Sequence, residues 1–286
     1  MQDKYTDAFD TLTEAQTQFI YIGDILGVAQ CSQDLGEVLC MQAKYTEASE
    51  ILTEAQRQFI EIGDVLGAAQ CLQTLGELLH MQEKYTEASR ILTEAQRQFI
   101  EIGSVLGMAQ CSMSLGNILC MQGKYTDASK TLTNAQRQLL DIGDALGVAH
   151  CSTYLANISY HLAKYTEAFE ALTDAQQEYM NISAPLEAND CLRHLGDVLV
   201  MQNNYSEAFN TLTEARQQFL AIGNPLGATQ SSQSLGKILF MQHKYVEASE
   251  VLTEAQQQFI TYDDAVRAAA CSTILDDIYH IWAHSI

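Results

Sequence analysis

Positive charge is scarce in this sequence, since 15 lysine and arginine residues face 36 aspartate and glutamate residues, for a formal net charge of -21. Such an acidic surface cannot neutralise phosphates, so neither nucleic acid nor an anionic membrane is expected as a partner. Long hydrophobic runs are also missing, because no apolar stretch approaches the roughly 18 residues of a membrane-spanning helix. The N-terminus lacks the basic and then apolar regions of a secretion signal. We therefore expect a soluble, unexported protein.

Motifs of catalysis and metal binding are missing too. The sequence has no phosphate-binding loop, no nucleotide-binding glycine fingerprint and no Gly-x-Ser-x-Gly elbow. It also has no Cys-x-x-Cys pair for zinc or redox chemistry. Asp277, His280 and His284 share one helical face and would suit a metal ion, but they lie at a chain end and are better interpreted as a frayed polar terminus. We predict no enzymatic activity, no cofactor and no metal.

What the sequence has instead is a unit of 40 residues that repeats along its whole length. A period between twenty and fifty residues is typical of a solenoid, in which each unit buries its apolar face by stacking on its neighbours. We therefore predict one solenoid domain over residues 1–286, with seven units and no separate catalytic domain. The period is set by the tyrosines Tyr5, Tyr45, Tyr85, Tyr125, Tyr165, Tyr205 and Tyr245.

Each unit is predicted to contain two helices. In residues 63–102, apolar residues recur at spacings of three and four, first from Asp64 to about Gln82 and then from about Lys84 to Ile102. Asp64 is a good N-cap, and Gly63 stands where a left-handed helix end needs glycine. The only prolines, Pro185 and Pro225, fall at the first position of a helix. The predicted architecture is all-α, made of antiparallel helix pairs joined by turns of two to four residues.

Most of the cysteines share one position of the repeat. Equivalent positions in stacked helix pairs should lie about 8–10 Å apart, which exceeds the reach of a disulfide. We predict buried, reduced cysteines that act as small apolar residues, and hence a reducing, cytoplasmic compartment. The cysteines at this position are Cys31, Cys71, Cys111, Cys151, Cys191 and Cys271.

The repeat resembles the tetratricopeptide repeat (TPR) along the whole chain. Its unit is longer than the usual 34 residues or so, as in kinesin light chain and Pins-like scaffolds, and residues 66–82 also resemble the arrays of fungal NLR-like receptor proteins. The resemblance implies a right-handed superhelix in which the small glycine of each Leu-Gly pair, such as Gly116, approaches an alanine of the next helix, here Ala128. The signature residues of the second unit are Leu75, Gly76, Leu79, Tyr85, Ala88, Leu92 and Ala95.

The same resemblance implies that the Leu-Gly helices line a concave, peptide-binding groove. Its glutamines and asparagines both donate and accept hydrogen bonds and would suit an extended peptide, although they would equally solvate a helix face. The lysine and arginine clamp of chaperone-binding members is absent, and the mixed charges of the fifth and sixth units mark either a specific contact or ordinary drift. The candidate groove residues are Gln30, Gln33, Glu37, Gln70, Gln73, Glu77, His80, Gln110, Met113, Asn117, His150, Asn157, Tyr160, Asp190, Arg193, Asp197, Gln230, Gln233, Lys237 and Phe240.

The two ends of the repeat array are predicted to differ. A Tyr helix over residues 4–22 has no Leu-Gly partner, so Tyr5, Phe9 and Leu12 would present an open apolar face unless upstream repeats or a partner cover it. A capping helix over residues 264–283 closes the other end. The expected function is a non-enzymatic scaffold that binds a protein or peptide in its groove. The alternative is a structural spacer or a self-assembling solenoid that forms a homodimer through the open face.

Overall fold

The structure is a computed structural model that describes the backbone of residues 2–284 and the side chains of residues 5–284. These residues form fourteen α-helices and no strand. The helices are α1 (Gln2–Ile22), α2 (Ile25–Met41), α3 (Tyr45–Glu61), α4 (Val65–Met81), α5 (Tyr85–Glu101), α6 (Val105–Met121), α7 (Tyr125–Asp141), α8 (Ala145–His161), α9 (Tyr165–Asn181), α10 (Pro185–Met201), α11 (Tyr205–Ala221), α12 (Pro225–Met241), α13 (Tyr245–Thr261) and α14 (Ala265–Ala283).

Local sequence signals determine where the helices begin and end. The Asp64 carboxylate accepts a hydrogen bond of 3.0 Å from the Gly67 amide and so caps α4. Gly63, just before it, has a φ of +77° that disfavours residues with a side chain. The caps and the helix-initiating prolines expected from the sequence are confirmed. The side chains that cap even-numbered helices in this way are Asp24, Asp64, Ser104, Asp144, Asn224 and Asp264.

The chain forms two compact units, one ending at Gly147 within α8 and the other beginning at Val148. In the first unit, consecutive helices pack side by side from α1 to α7, and α4 also contacts α2 and α6. In the second unit, consecutive helices pack in the same way from α9 to α14, and α12 also contacts α10 and α14. Because turns of two or three residues join the helices, neighbours run antiparallel. The predicted all-α fold of stacked helix pairs is confirmed.

Each odd-numbered helix from α3 onward buries one apolar stripe in the core. In α3 this stripe consists of Ala48, Leu52, Ala55 and Phe59, none more than 1% exposed. The spacings of four, three and four residues place all four side chains on one face of the helix. Burying each large side chain contributes about 1.5–3 kcal/mol. The repeated core is therefore built from the same positions in every helix pair.

The glycine of each Leu-Gly pair is required by a leucine of the following helix. A Cβ atom built on Gly76 would lie 2.5 Å from Cγ of Leu92, a distance that real Cβ atoms do not adopt. At Gly116 the three nearest heavy atoms belong to Leu132, the closest at 2.6 Å. Leu132, and not Ala128, is therefore the side chain that a Cβ atom at Gly116 would meet first.

The cysteines behave as predicted from their position in the repeat. None of the eight, all of which the structure describes, forms a disulfide, and Cys71, Cys111 and Cys151 have no exposed surface. Burial raises the pKa of the Cys71 thiol to about 12, so this sulfur stays protonated. Within residues 2–284, no helix is both long and apolar enough to cross a membrane.

Candidate functional site

A cavity of about 330 Å³ lies among α8, α9 and α10 of the second unit. It brings together four of the predicted groove residues, Asn157, Tyr160, Arg193 and Asp197. Most of its remaining wall is apolar or aromatic, which is typical of ligand sites with a few oriented polar groups. The lining residues are Thr153, Tyr154, Ala156, Asn157, Tyr160, Leu172, Arg193, His194, Asp197 and Val198.

Arg193 is the only arginine that borders this cavity, and its hydrogen bonds are incomplete. Its side chain is only 17% exposed and lies 3.5 Å from the carboxylates of Asp190 and Asp197, one turn to either side on α10. Charge-assisted hydrogen bonds are usually about 2.7–2.9 Å long, so both contacts are weak. The buried Nε atom of Arg193 has no hydrogen-bond partner among the residues that the structure describes. Such an unsatisfied donor costs about 1–3 kcal/mol.

His194 supports the guanidinium group from the same helix. Nη2 of Arg193 lies 2.9 Å from Nε2 of His194. Burial, and to a smaller extent the Arg193 charge, lower the pKa of His194 to about 3. The imidazole is therefore neutral at physiological pH. Because arginine can only donate, Nε2 of His194 accepts this hydrogen bond and the ring proton lies on Nδ1.

The charges around Arg193 nearly cancel. Burial raises the pKa of the Asp197 carboxyl, whereas Arg193, a hydrogen bond of 2.8 Å from Oγ of Ser234 and the Lys237 charge lower it. Burial also raises the pKa of Asp190, again opposed by Arg193. The Glu187 charge also acts on Asp190, so three carboxylates accompany one guanidinium and one ammonium group. A neutral polar group with an acceptor oxygen therefore fits this cluster better than an anion does.

The apolar wall of the cavity is held rigidly. Ala156, Leu172 and Val198 belong to one buried core cluster, and each is at most 4% exposed. The Tyr160 ring packs edge-on against the Tyr165 ring, with 5.8 Å between their centroids. Burial raises the pKa of the Tyr160 hydroxyl, so it stays protonated and available as a donor.

The first unit has a more polar cavity of about 380 Å³ on α2, α4 and α6. Nε2 of Gln73 donates to Oε1 of Glu77 at 3.2 Å and to Oε1 of Gln110 at 3.5 Å, and Oγ of Ser114 donates to Glu77 at 3.3 Å. Burial raises the pKa values of Glu77 and Glu37. The polar groups here largely satisfy one another. The predicted groove residues that line it are Gln33, Glu37, Gln70, Gln73, Glu77 and Gln110.

The remaining candidate groove residues line neither cavity. Several stand four residues after the glycine and pack on the next helix instead: the His80 ring lies 5.8 Å from the Tyr85 ring, and the Phe240 ring 5.8 Å from the Tyr245 ring. Asp190 reaches the cavity only through Arg193. The candidates outside both cavities are Gln30, His80, Met113, Asn117, His150, Asp190, Gln230, Gln233, Lys237 and Phe240.

Tyr154 and His194 are among the cavity residues that the sequence analysis does not predict. Both stand two residues before the glycine position of their unit, where other units have smaller residues such as Ser114 and Ser234. Their bulk interrupts the repeated pattern and was a usable signal. A second signal was Ala156, which replaces the glycine of the Leu-Gly pair in this unit alone among the first six.

The N-terminal helix exposes part of its predicted self-association face. Tyr5, Phe9 and Leu12 are each partly exposed, whereas Leu52, which occupies the position of Leu12 in the next unit, is fully buried. Phe9 packs against the core cluster that contains Leu52. The face is therefore partly covered by its own unit.

The two histidines near the end of α14 lie one turn apart and contact each other. The rings of His280 and His284 are 6.4 Å apart, and Nδ1 of His284 lies 2.8 Å from the backbone oxygen of His280. Within residues 2–284, no group of three histidine, cysteine or acidic side chains is placed to hold a metal ion.

Comparison with known proteins relates the chain to tetratricopeptide repeats. Residues 28–101 match the family model of this repeat. No curated protein matches by sequence. Among solved structures, a Rap protein complexed with competence and sporulation factor is similar with a TM-score of 0.67 and 14% identity, over 92% of this chain and 77% of that chain.

Two further structures are similar at the level of fold. A STAND signal-transduction ATPase with a tetratricopeptide repeat sensor, from Pyrococcus horikoshii, has a TM-score of 0.70 and 15% identity, over 96% of this chain and 43% of that chain. The Rap conjugation gene regulator of plasmid pLS20, in complex with the Phr* peptide, has a TM-score of 0.65 and 14% identity, over 90% of this chain and 76% of that chain.

Proposed function

We propose that this tetratricopeptide-repeat protein is a non-enzymatic interaction module that binds a peptide segment at α8, α9 and α10 of its second unit. The observation that carries this proposal is the cavity around Arg193, where an incompletely bonded guanidinium group borders an apolar wall. Binding sites commonly combine these two properties.

The chemistry of the cavity indicates which part of a peptide it takes. Its volume of about 330 Å³ lies near the lower limit for ligand sites and suits one large side chain better than a whole cofactor. Leu172, Val198 and Tyr160 would bury an apolar or aromatic side chain. A backbone carbonyl of the same peptide would accept from the guanidinium group of Arg193, and the Asn157 carboxamide would bond the adjacent peptide group.

The similar structures support this proposal. Two of the Rap proteins were solved with a partner, one with competence and sporulation factor and one with the Phr* peptide, and the STAND protein has a tetratricopeptide repeat sensor. The amide groups of Gln73 and Gln110 in the first-unit cavity are also of the kind that bonds a peptide backbone.

The proposal is tested by selecting linear peptides from a displayed library on the full chain and measuring their affinities. We expect the selected peptides to contain a large apolar residue and to bind Arg193→Leu at least about tenfold more weakly, because the carbonyl acceptor loses its donor. Arg216→Leu is the matched control, since it makes the same change at an exposed position of α11.

Arg193→Leu leaves two carboxylates without their partner, so Asn157→Ala provides a second variant, and circular dichroism checks the fold of each. Selected peptides that bind both variants and the wild type equally would refute the site. A library that yields no binder at all would refute the proposed function.

Self-association is the second candidate function, favoured by the partial exposure of Tyr5, Phe9 and Leu12. Exposed apolar side chains of this size provide a driving force for pairing with a second copy. Mass measurement over a dilution series separates this homodimer from the peptide-binding module.

A further inference from the structure

Large aliphatic side chains are exposed at one end of the helix pairs of the first unit. Ile60, Ile100 and Leu140 stand near the ends of α3, α5 and α7, and Leu66, Leu106 and Leu146 stand in the first turns of the following helices. Their exposed fractions range from 43% to 66%. Because neighbouring helices run antiparallel, every turn from an odd to an even helix lies at the same end. These six residues define the apolar edge.

Folding does not require aliphatic residues at these positions. The neighbouring exposed positions of α3 and α5 hold polar residues such as Glu61 and Glu101, and the core of each pair is filled by other side chains. The residue at the position of Ile60 varies between repeats, from Ile60 to Leu140 and on to Met180 in the second unit, yet it is always large and apolar. If the repeats had only copied a neutral residue, the same amino acid would recur. Selection for a contact would instead keep the size and the apolar character of the side chain. Repeated exposed apolar residues of this kind mark an interaction surface.

Carboxylates flank the apolar edge. Glu61, Glu101 and Asp141 directly follow Ile60, Ile100 and Leu140 in the sequence. Asp64 and Asp144 cap the helices whose first turns contain Leu66 and Leu146. Arg57 forms ion pairs with both Glu54 and Glu61. Arg97 likewise pairs with both Glu94 and Glu101, so each arginine balances only one of two carboxylates. The edge therefore carries a negative potential, which attracts cationic groups of a partner.

We propose that the apolar edge of the first unit docks an amphipathic helix whose apolar stripe is bordered by lysine or arginine. The stripe would cover the aliphatic side chains, and the basic residues would meet the flanking carboxylates. A second copy of this chain fits less well, because it would bring the same carboxylates into contact with themselves. This docking surface is separate from the cavity around Arg193 and does not depend on it.

The second unit provides an internal comparison. Leu220 and Leu226 occupy the positions of Ile100 and Leu106 and are also exposed, but no acidic residue stands between them, because Ala221 and Asn224 hold the positions of Glu61 and Asp64. An apolar contact alone would use this turn as well, whereas a contact that also needs carboxylates would not.

The test is a fluorescence-anisotropy titration of the full chain with a labelled helical peptide of about 18 residues, five turns long. The peptide has one leucine stripe bordered by lysines, and its partner probe has glutamates in place of the lysines. We expect the lysine peptide to bind about tenfold more weakly to Ile60→Gln/Ile100→Gln, to bind Leu220→Gln/Leu226→Gln like the wild type, and to weaken with added salt.

Three outcomes would overturn the proposal. The first is an equal loss of affinity for the lysine peptide in both double variants. The second is equal affinity of the wild type for the lysine and glutamate peptides. The third is a wild-type dimer in sedimentation that Ile60→Gln/Ile100→Gln makes monomeric, since a second copy would then be the occupant. The substituted side chains are exposed, so both variants should keep the wild-type circular dichroism spectrum.

Discussion

Ala156 and Leu172 border the same cavity, whereas the residues at their positions one repeat later, Gly196 and Leu212, are in close contact. A methyl group on Gly196 would lie 2.5 Å from Cγ of Leu212, so an alanine cannot occupy such a contact unless the helices separate. Ala156 and Leu172 must therefore be arranged differently from that pair, and both line the cavity beside Tyr160 and Arg193.

Ala156→Gly should narrow this cavity and weaken peptide binding. Without the methyl group, Leu172 can approach α8 as Leu212 approaches α10. Glycine in a helix costs about 0.5–1 kcal/mol relative to alanine, and the closer contact should offset part of this cost. The affinity of the library-selected peptides and the thermal unfolding curve measure both effects. Unchanged affinity would mean that Ala156 does not hold the cavity open.

Gly116→Ala should destabilise the first unit by about 1–3 kcal/mol, because the new methyl group would lie 2.6 Å from Cγ of Leu132. Chemical denaturation of the purified protein gives the free energy of unfolding. The control is a double-mutant cycle with Leu132→Ala, in which the two effects should couple. Additive effects would show that Leu132 is not the residue in conflict with the methyl group.

The repeated features of this protein could be read from its sequence, and the exceptional ones could not. The period, the caps at Asp64 and its equivalents, and the buried cysteines follow from local rules that hold in each unit. The cavity beside Ala156 depends on how α8, α9 and α10 pack against one another, which no local rule supplies. His80 and Phe240 are candidate groove residues by position, and position alone does not predict that their rings also pack on a neighbouring tyrosine, where an aromatic side chain gains more than in solvent.

Glu77→Gln should stabilise the first unit at neutral pH. Burial raises the folded-state pKa of this carboxyl, so its ionised form opposes folding. That penalty is fully present above the folded-state pKa and disappears below the unfolded-state pKa of about 4.3. The amide keeps an acceptor for Gln73 and Ser114. Between pH 4 and pH 8, the unfolding temperature of Glu77→Gln should rise increasingly above that of the wild type as the pH rises. Glu47→Gln, at an exposed site of α3, is the control and should unfold at the same temperature as the wild type.

Ser183→Gly/Ala184→Asp should stabilise the second unit by about 1–2 kcal/mol. Ser183 has a φ of +59°, which favours glycine, and Ala184 caps α10 without a side-chain hydrogen bond. Both changes restore the residues that most other units have. Each single variant, measured by thermal unfolding, separates the backbone effect from the cap. A lower unfolding temperature for Ala184→Asp would show that Pro185 already makes the cap redundant.

Phe9→Glu tests the homodimer. If copies pair through Tyr5, Phe9 and Leu12, the wild type should dissociate on dilution in sedimentation equilibrium and the variant should remain monomeric, because a buried glutamate opposes pairing. Phe209→Glu, a partly buried position of the second unit, is a control for the effect of the substitution itself. A wild type that stays monomeric at high concentration removes this alternative.

The stacking of helices only on their near neighbours has a mechanical consequence. Within each unit, a helix contacts the helices directly before and after it and, for the even-numbered ones, the next even helix. A pull on the chain ends can therefore detach one helix pair while the others keep their contacts. Each detached repeat would release roughly 130–145 Å of extended chain. The protein should lengthen in equal steps at low force, one step for each repeat, and shorten again in the same steps when the force is released.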